Sequence, residues 1–300
     1  MEGFAGWSAP CAHASLSAVR STIAGMDSTA TTTERTPSTI AVLTALPIEA
    51  EGIIQAMDGP KHRELPGLRV ARGRYRGLDL VVCVGGMGAA NAAAASQFLI
   101  DNYRPEAMLF SGIAGSINPG LQIGDLIIAA EQHYAETNTD LIAQCPPNLP
   151  AFPSDRRLVE LARQAAQELG MEPIAAVGEL LASGAWDGRV HAPGPGAGVK
   201  AQGDPSHYVV GNISTSDRFN TDPAVLSDLV AGFQAEGEAM EEAPAAQIAI
   251  RAGLPFLCLR GISNPCGQTP EELDTHEDAS AAAAHAAAQV TLGLLRALSR

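Results

Sequence analysis

Apolar and polar positions along this chain switch repeatedly between a period of two and a period near 3.6, which predicts strands alternating with helices. TIAVLTAL (39–46) is a short β-branched and aliphatic run, and after Pro47 the segment IEAEGIIQAM (48–57) takes up helical spacing. LRVARGRY (68–75) and LDLVVCVGG (78–86) flank Gly77 as two strands of a hairpin. AANAAAASQFLIDNY (89–103) predicts a helix, because Ala is the best helix former. EAMLFSGIAG (106–115) and GDLIIAAEQHY (124–134) read as strands. SDRRLVELARQAAQELG (154–170) is an amphipathic helix with Ser154 as its expected N-cap and Gly170 as its stop. YVVGNISTSD (208–217) is a strand, and DPAVLSDLVAGF (222–233) a helix opened by Asp222 with Pro223 in its first position. A helix over 241–253 ending at Gly253, a strand LPFLCLRGIS (254–263) and a helix over 278–298 complete the pattern.

This order predicts an α/β fold of three layers, α/β/α, around a central twisted sheet that is mixed but mostly parallel. Several strands are apolar on both faces, as buried parallel strands are. Residues 1–37 are rich in Ser, Thr and Ala without hydrophobic period, and are expected to be a disordered tail containing a possible second start at Met26. Residues 38–300 then form one domain. Within it, the Gly- and Pro-rich stretch 182–207, with HAPGPGAG at its centre, is expected to be a loop insertion.

Composition narrows the function. The chain carries a net charge of −14, with no basic footprint for a phosphate backbone and none for an anionic membrane surface. No apolar run approaches the ~18 residues of a membrane span. Glu2, without a basic segment or a continuous apolar run after it, does not open a secretory signal, so a cytoplasmic location is expected. The 5 cysteines are odd in number and lack C-x-x-C spacing, which fits reduced thiols and not a disulfide framework. The 7 histidines form no metal-ligand pattern, so no metal and no cofactor are expected.

In a doubly covered sheet, ligands collect where strand C-termini meet helix N-termini. The segments there are ALPIEAE (45–51), GGMGAAN (85–91), SGIAGS (111–116), STSDRFN (214–220), EAMEEA (238–243) and RGISN (260–264). In this order they resemble the nucleoside phosphorylase/nucleosidase superfamily, including 5′-methylthioadenosine/S-adenosylhomocysteine nucleosidase and futalosine hydrolase. The resemblance runs from about Thr39 to Leu298. It implies a nucleoside phosphorylase-like fold, a purine nucleoside as the small-molecule partner, and a homodimer or larger homo-oligomer.

The resemblance also assigns roles. Glu49 matches the glutamate that positions and deprotonates the attacking water, with Glu51 as the alternative. Gly86 and Met87 would lie beneath the ribosyl centre, and Phe219 would stack on the purine. Met240 would pack under the sugar, and Glu241 would bind the ribose hydroxyls. Ser263 and Asn264 match a Ser-Asp pair beside purine N7, with an amide here in place of the acid. An amide gives up no proton but donates and accepts hydrogen bonds. Asn264 therefore points to a 6-oxopurine nucleoside, with a modified 5′ position, because adenine is the poorer leaving group without protonation; the alternatives are a nucleosidase for adenine nucleosides, a purine nucleoside phosphorylase, or a non-catalytic nucleoside-binding protein. A phosphorylase needs cations for its phosphate, and only Arg218 and Arg260 stand near the rim segments, Arg260 reading as structural.

Overall fold

The computed structural model describes residues 38–194, 196–200, 206–269 and 277–300, so the tail expected over 1–37 lies outside the described residues. The first half of the chain contains β1 (Thr39–Thr44), α1 (Pro47–Gln55), β2 (Asp58–Leu65), β3 (Leu68–Tyr75), β4 (Leu78–Val84), α2 (Ala89–Tyr103), β5 (Ala107–Ser116) and β6 (Leu126–Tyr134). Then come α3 (Thr139–Ile142), β7 (Phe152–Pro153), α4 (Arg156–Glu168), β8 (Glu172–Pro173) and α5 (Val177–Ser183). The remainder is β9 (His207–Thr215), α6 (Pro223–Phe233), β10 (Ala235–Ala239), α7 (Glu242–Arg251), β11 (Phe256–Pro265) and α8 (Glu277–Leu298).

One sheet runs in the order β10-β9-β6-β11-β5-β1-β4-β3-β2. The central pairings β4–β1–β5–β11 are parallel, β11–β6 is antiparallel, and β6–β9–β10 are parallel again. β10 also pairs antiparallel with β5, so β10, β9, β6, β11 and β5 close into a ring. Alternation along the strands sorts side chains to two faces. Ile40, Val42, Leu109 and Leu257 join a core under α1, α4 and α8; Ala41, Leu43, Phe110 and Cys258 join a second core under α2 and α7. A smaller cluster of Ile117, Val177, Leu226, Leu229 and Val230 packs α5 and α6 against the ring. These are the three layers expected from the sequence. No helix among the described residues is long and apolar enough to cross a membrane.

Local chemistry explains most boundaries and a few surprises. Arg76 and Gly77 both have positive φ, 50° and 88°, the two-residue hairpin loop that matches strand twist. Asp222 caps α6 through Ala224 N, with Pro223 in the first turn. The cap of α4, however, is Asp155, which accepts from Leu158 N at 3.0 Å, and not Ser154, whose buried Oγ is engaged by Gln132 Nε2. β2 and β10 carry no apolar run. β2 is a mostly exposed edge strand of charged residues, and β10 (AEGEA) buries two carboxylates. Glu236 of β10 is held by Asn118 Nδ2 at 2.7 Å and Val177 N at 2.9 Å, which satisfies both oxygens. Within the expected insertion, α5 ends at Ser183, and the described residues from Gly184 to Lys200 are irregular. They are tied down by Val190 N donating to Ser227 Oγ, Ile123 N donating to Gly198 O, and a Lys200–Asp125 ion pair.

Candidate active site

The loops at one end of the sheet wall a cavity of about 240 Å³. Ala45 and Leu46 follow β1 and open α1, and Pro47 at the first helical position brings Glu49 to the third. There its carboxylate turns back on the helix start, as an acid at an N-terminus is drawn to do. Oε2 accepts from Ala45 N at 2.7 Å and Leu46 N at 2.8 Å, and Oε1 from Ile113 N at 2.9 Å. Burial raises the pKa of this carboxyl, while Arg260 and the Leu46 and Ile113 N–H groups pull it back down. Glu51, the alternative at this end of α1, is exposed and bonds Gln55, away from the cavity wall.

Arg260 is the charge centre of the site. It sits on β11 at 1% exposure, with its guanidinium carbon 4.2 Å from the centroid of the Phe110 ring. Three carboxylates surround it: Glu241 at 2.9 Å, Glu242 at 2.5 Å and Glu49 at 3.8 Å. Nη1 also donates to Ile113 O at 2.9 Å. The approach needs Gly112 on β5, because a Cβ there would overlap the guanidinium and lie 2.7 Å from Glu49 Oε1. Three acids on one cation leave excess negative charge in a buried place, and burial lifts Glu242 to about 7 against the opposing pull of Arg260. The second Glu242 oxygen accepts from Thr215 Oγ1 and Glu241 N. Glu241 Oε1 accepts from Gly88 N at 2.9 Å, and Asp217 accepts from Ala89 N at 2.8 Å, so carboxylates occupy the first N–H groups of α2.

Ser263 and Asn264 also line the cavity, at the end of β11 where the register with β5 shifts between Ile262 and Asn264. Such a bulge re-aims side chains at a strand end. Asn264 Oδ1 accepts from Ser263 Oγ at 2.9 Å, and Nδ2 donates to Pro265 O at 3.0 Å. A carbonyl only accepts, so this contact fixes which end of the amide is nitrogen. Met240, Phe219 and Met87 also line the cavity, the last two with 48% and 56% of their surface exposed at its mouth. Gly86 is not among the lining residues. Its N donates to Ala45 O at 3.1 Å and its φ of 89° turns the chain after β4. The wall also contains Glu238 of β10, which was given no role from the sequence; Asn220 Nδ2 donates to its Oε1 at 2.7 Å. Arg260, read from the sequence as structural, is likewise part of the wall. Its signal in the sequence was a charge on the alternating face Phe256, Cys258, Arg260 of an otherwise apolar strand. Among the described residues no group of three or more His, Cys, Asp or Glu is arranged to hold a metal ion.

The site is thus an acid-lined cavity at the strand ends of a three-layer α/β/α fold. The chain belongs to the phosphorylase superfamily, whose family model matches residues 39–298. Among curated relatives, the 5′-methylthioadenosine/S-adenosylhomocysteine nucleosidase of Geobacillus kaustophilus is 27% identical over 266 residues, 87% of this chain and 97% of the relative. That of Shewanella halifaxensis is 26% identical over 265 residues, 86% of this chain and 99% of the relative. The nucleosidase of Neisseria meningitidis, solved with methylthio-immucillin-A, superposes with a TM-score of 0.68 at 21% identity, covering 87% of this chain and 99% of that one. The futalosine hydrolase of Helicobacter pylori superposes with a TM-score of 0.68 at 20% identity, covering 87% and 98%.

Proposed function

We propose that this chain hydrolyses the N-glycosidic bond of a purine nucleoside, with water as the nucleophile. Glu49 orients the water and takes its proton, and Glu241 binds the ribose hydroxyls. Met240 and Met87 pack against the sugar, Phe219 stacks on the base, and Ser263 and Asn264 hold the base edge. Breaking the bond from C1′ to the base builds positive charge on the ribosyl group, as in glycoside cleavage. Carboxylates fixed beside that charge stabilise it without reorganising. The curated relatives named as nucleosidases support hydrolysis.

The observation that carries the choice of water over phosphate is the state of the cations and helix donors. Arg260 is engaged by three carboxylates, and the Gly88 and Ala89 N–H groups by Glu241 and Asp217. A phosphate dianion would have to displace these acids. Asn264 supports a 6-oxopurine: with Oδ1 taken by Ser263 and one N–H by Pro265 O, its remaining N–H suits an acceptor such as O6 or N7. The nucleosidase relatives favour the second reading, an adenine nucleoside with a modified 5′ position. A cytoplasmic homodimer or larger homo-oligomer belongs to the same proposal, on the sequence resemblance.

The test is incubation of the full chain with inosine, adenosine and 5′-methylthioadenosine, with and without phosphate, following free base and sugar by chromatography. Free base and ribose without phosphate are expected. Base release that requires phosphate would make the protein a phosphorylase, and retention of all three nucleosides intact would make it a binding protein.

A further inference from the structure

The proposed reaction leaves one proton unassigned. When the glycosidic bond breaks, its electron pair moves onto the purine, and the departing base is relieved by protonation at a ring nitrogen. Asn264 has no proton to give. The cavity wall nevertheless contains an acid on the same side of the site.

The sheet places it there. Gly115 of β5 is paired with Asn264 of β11 on one side and with Glu238 of β10 on the other. A Cβ on that glycine would lie 3.4 Å from Asn264 Nδ2, and Gly115, Asn264 and Glu238 line the same cavity, so the amide and the carboxyl stand on either side of a glycine that leaves the space between them open. Two strand spacings set their Cα atoms about 10 Å apart, room for a flat bicyclic base to meet both. Glu238 is 8% exposed and lines the cavity together with Asn264, Ser263 and Phe219. Its one hydrogen-bonding side-chain partner among the described residues is Asn220, at Oε1.

We propose that Glu238 is the acid that protonates the departing purine, in place of a residue at position 264. This inference rests on the nucleoside hydrolase reading above. In the step, the bond from C1′ to the base breaks and its electron pair passes to the base. The Glu238 carboxyl delivers its proton to a ring nitrogen, water forms the new C1′–O bond, and Glu49 takes the water's proton. Both carboxyls then return to their starting states by exchange with solvent, so the sum is nucleoside plus water giving base plus ribose.

The surroundings suit a carboxyl that is protonated at the start of the cycle. Burial lifts Glu238 to about 7, the Asn220 amide lowers it, and Glu136 and Glu242 push it up. The groups facing it come from every neighbouring segment: Glu136 after β6, Asn220 after β9, Glu242 at the start of α7 and the buried Cys266 thiol after β11. Arg218 is paired with Glu136 at 3.5 Å on the exposed side. An acid poised near the working pH is the most effective proton donor.

Glu238→Gln keeps the shape and removes the proton. The readout is the ratio of kcat/KM for inosine or 5′-methylthioadenosine, whichever the wild type cleaves, to that for 4-nitrophenyl β-D-ribofuranoside, whose leaving group needs no protonation. A drop in this ratio of about 10²–10⁴-fold is expected, the range of general acid catalysis. In the wild type, purine cleavage should also decline as pH rises through about 7, and this limb should be missing from the variant. An unchanged ratio overturns the role, because a brace for Asn220 would slow both substrates alike. A wild-type profile flat from pH 6 to 9 overturns it even if the variant does not fold. A wild type that releases base from no purine nucleoside defeats the hydrolase reading itself, which is a different result from an active enzyme with an unchanged ratio.

Discussion

Arg260→Met removes the one positive charge shared by Glu49, Glu241 and Glu242 while keeping most of the side-chain volume. At separations of 2.5–3.8 Å and an effective dielectric near 20, each attraction is worth about 4–7 kcal/mol before desolvation and repulsion among the acids are subtracted. Breaking a buried pair costs about 3–5 kcal/mol net, because the partner is left charged and uncompensated. For a domain of this size that is a fall in Tm of about 6–20 °C at pH 8. The loss must depend on pH. In the native protein, burial already raises Glu49 and lifts Glu242 to about 7, against the lowering pull of Arg260. Without that pull, both folded-state values rise further above the ordinary glutamate value of about 4.3. A carboxyl raised in the folded state loses stability as pH climbs from its unfolded value towards its folded one. The deficit of the variant should therefore be smaller at pH 5, where both folded-state carboxyls hold their protons in either protein, and larger at pH 8. Urea denaturation of the two proteins at both pH values measures it. An equal deficit at pH 5 and pH 8 would show that the guanidinium serves as packing against Phe110 and not as a counter-charge.

Three further outcomes follow from the same geometry. Glu49→Gln should lower kcat on the cleaved nucleoside by about 10²–10⁴-fold, with binding of the free base retained, and a variant within tenfold of wild type would remove Glu49 from the role of base. Asn264→Asp should raise the ratio of 5′-methylthioadenosine to inosine cleavage, since an acid at 264 can donate to N7 of adenine; a constant ratio refutes the part given to the amide. Gly261→Ala should destabilise the fold by about 3 kcal/mol in denaturant, because its Cβ would overlap the Ala283 carbonyl where α8 crosses β11, and a neutral substitution would mean that the helix moves away freely.

The layers and most elements were legible in the sequence because buried strands such as VVCV and FLCL and the Ala-rich helices have strong periodicity. β10 was not, because a strand that buries Glu236 and Glu238 looks polar until Asn118, Val177 and Asn220 are brought to it from distant positions. For the same reason the segment 236–242 offered four acids without showing that Glu241 and Glu242 meet the guanidinium while Glu238 lines the cavity apart from it. Glu49, Met87, Phe219, Met240, Glu241, Ser263 and Asn264, singled out by the resemblance of their segments to the family, all line one cavity. Gly86 shapes the turn beside it, since its positive φ serves the backbone and it has no side chain to present. Arg260 was missed as the centre of the site because an isolated Arg in an apolar strand reveals its three partners only when α1, α7 and β11 converge.

The second pairing of β10 has a bearing on how copies of this chain can meet. By joining β5 it uses up hydrogen-bonding groups that an outermost strand would otherwise offer to another molecule. The long edge left open at the far side of the sheet is β2, whose DGPKHREL carries Pro60 and the charged Lys61, Arg63 and Glu64. Proline and charge on an edge discourage a foreign strand from adding to it. Self-association by extending the sheet is therefore disfavoured at both ends, which leaves helix and loop surfaces, among them the exposed apolar side chains of Met87 and Phe219, as the surfaces open to contact.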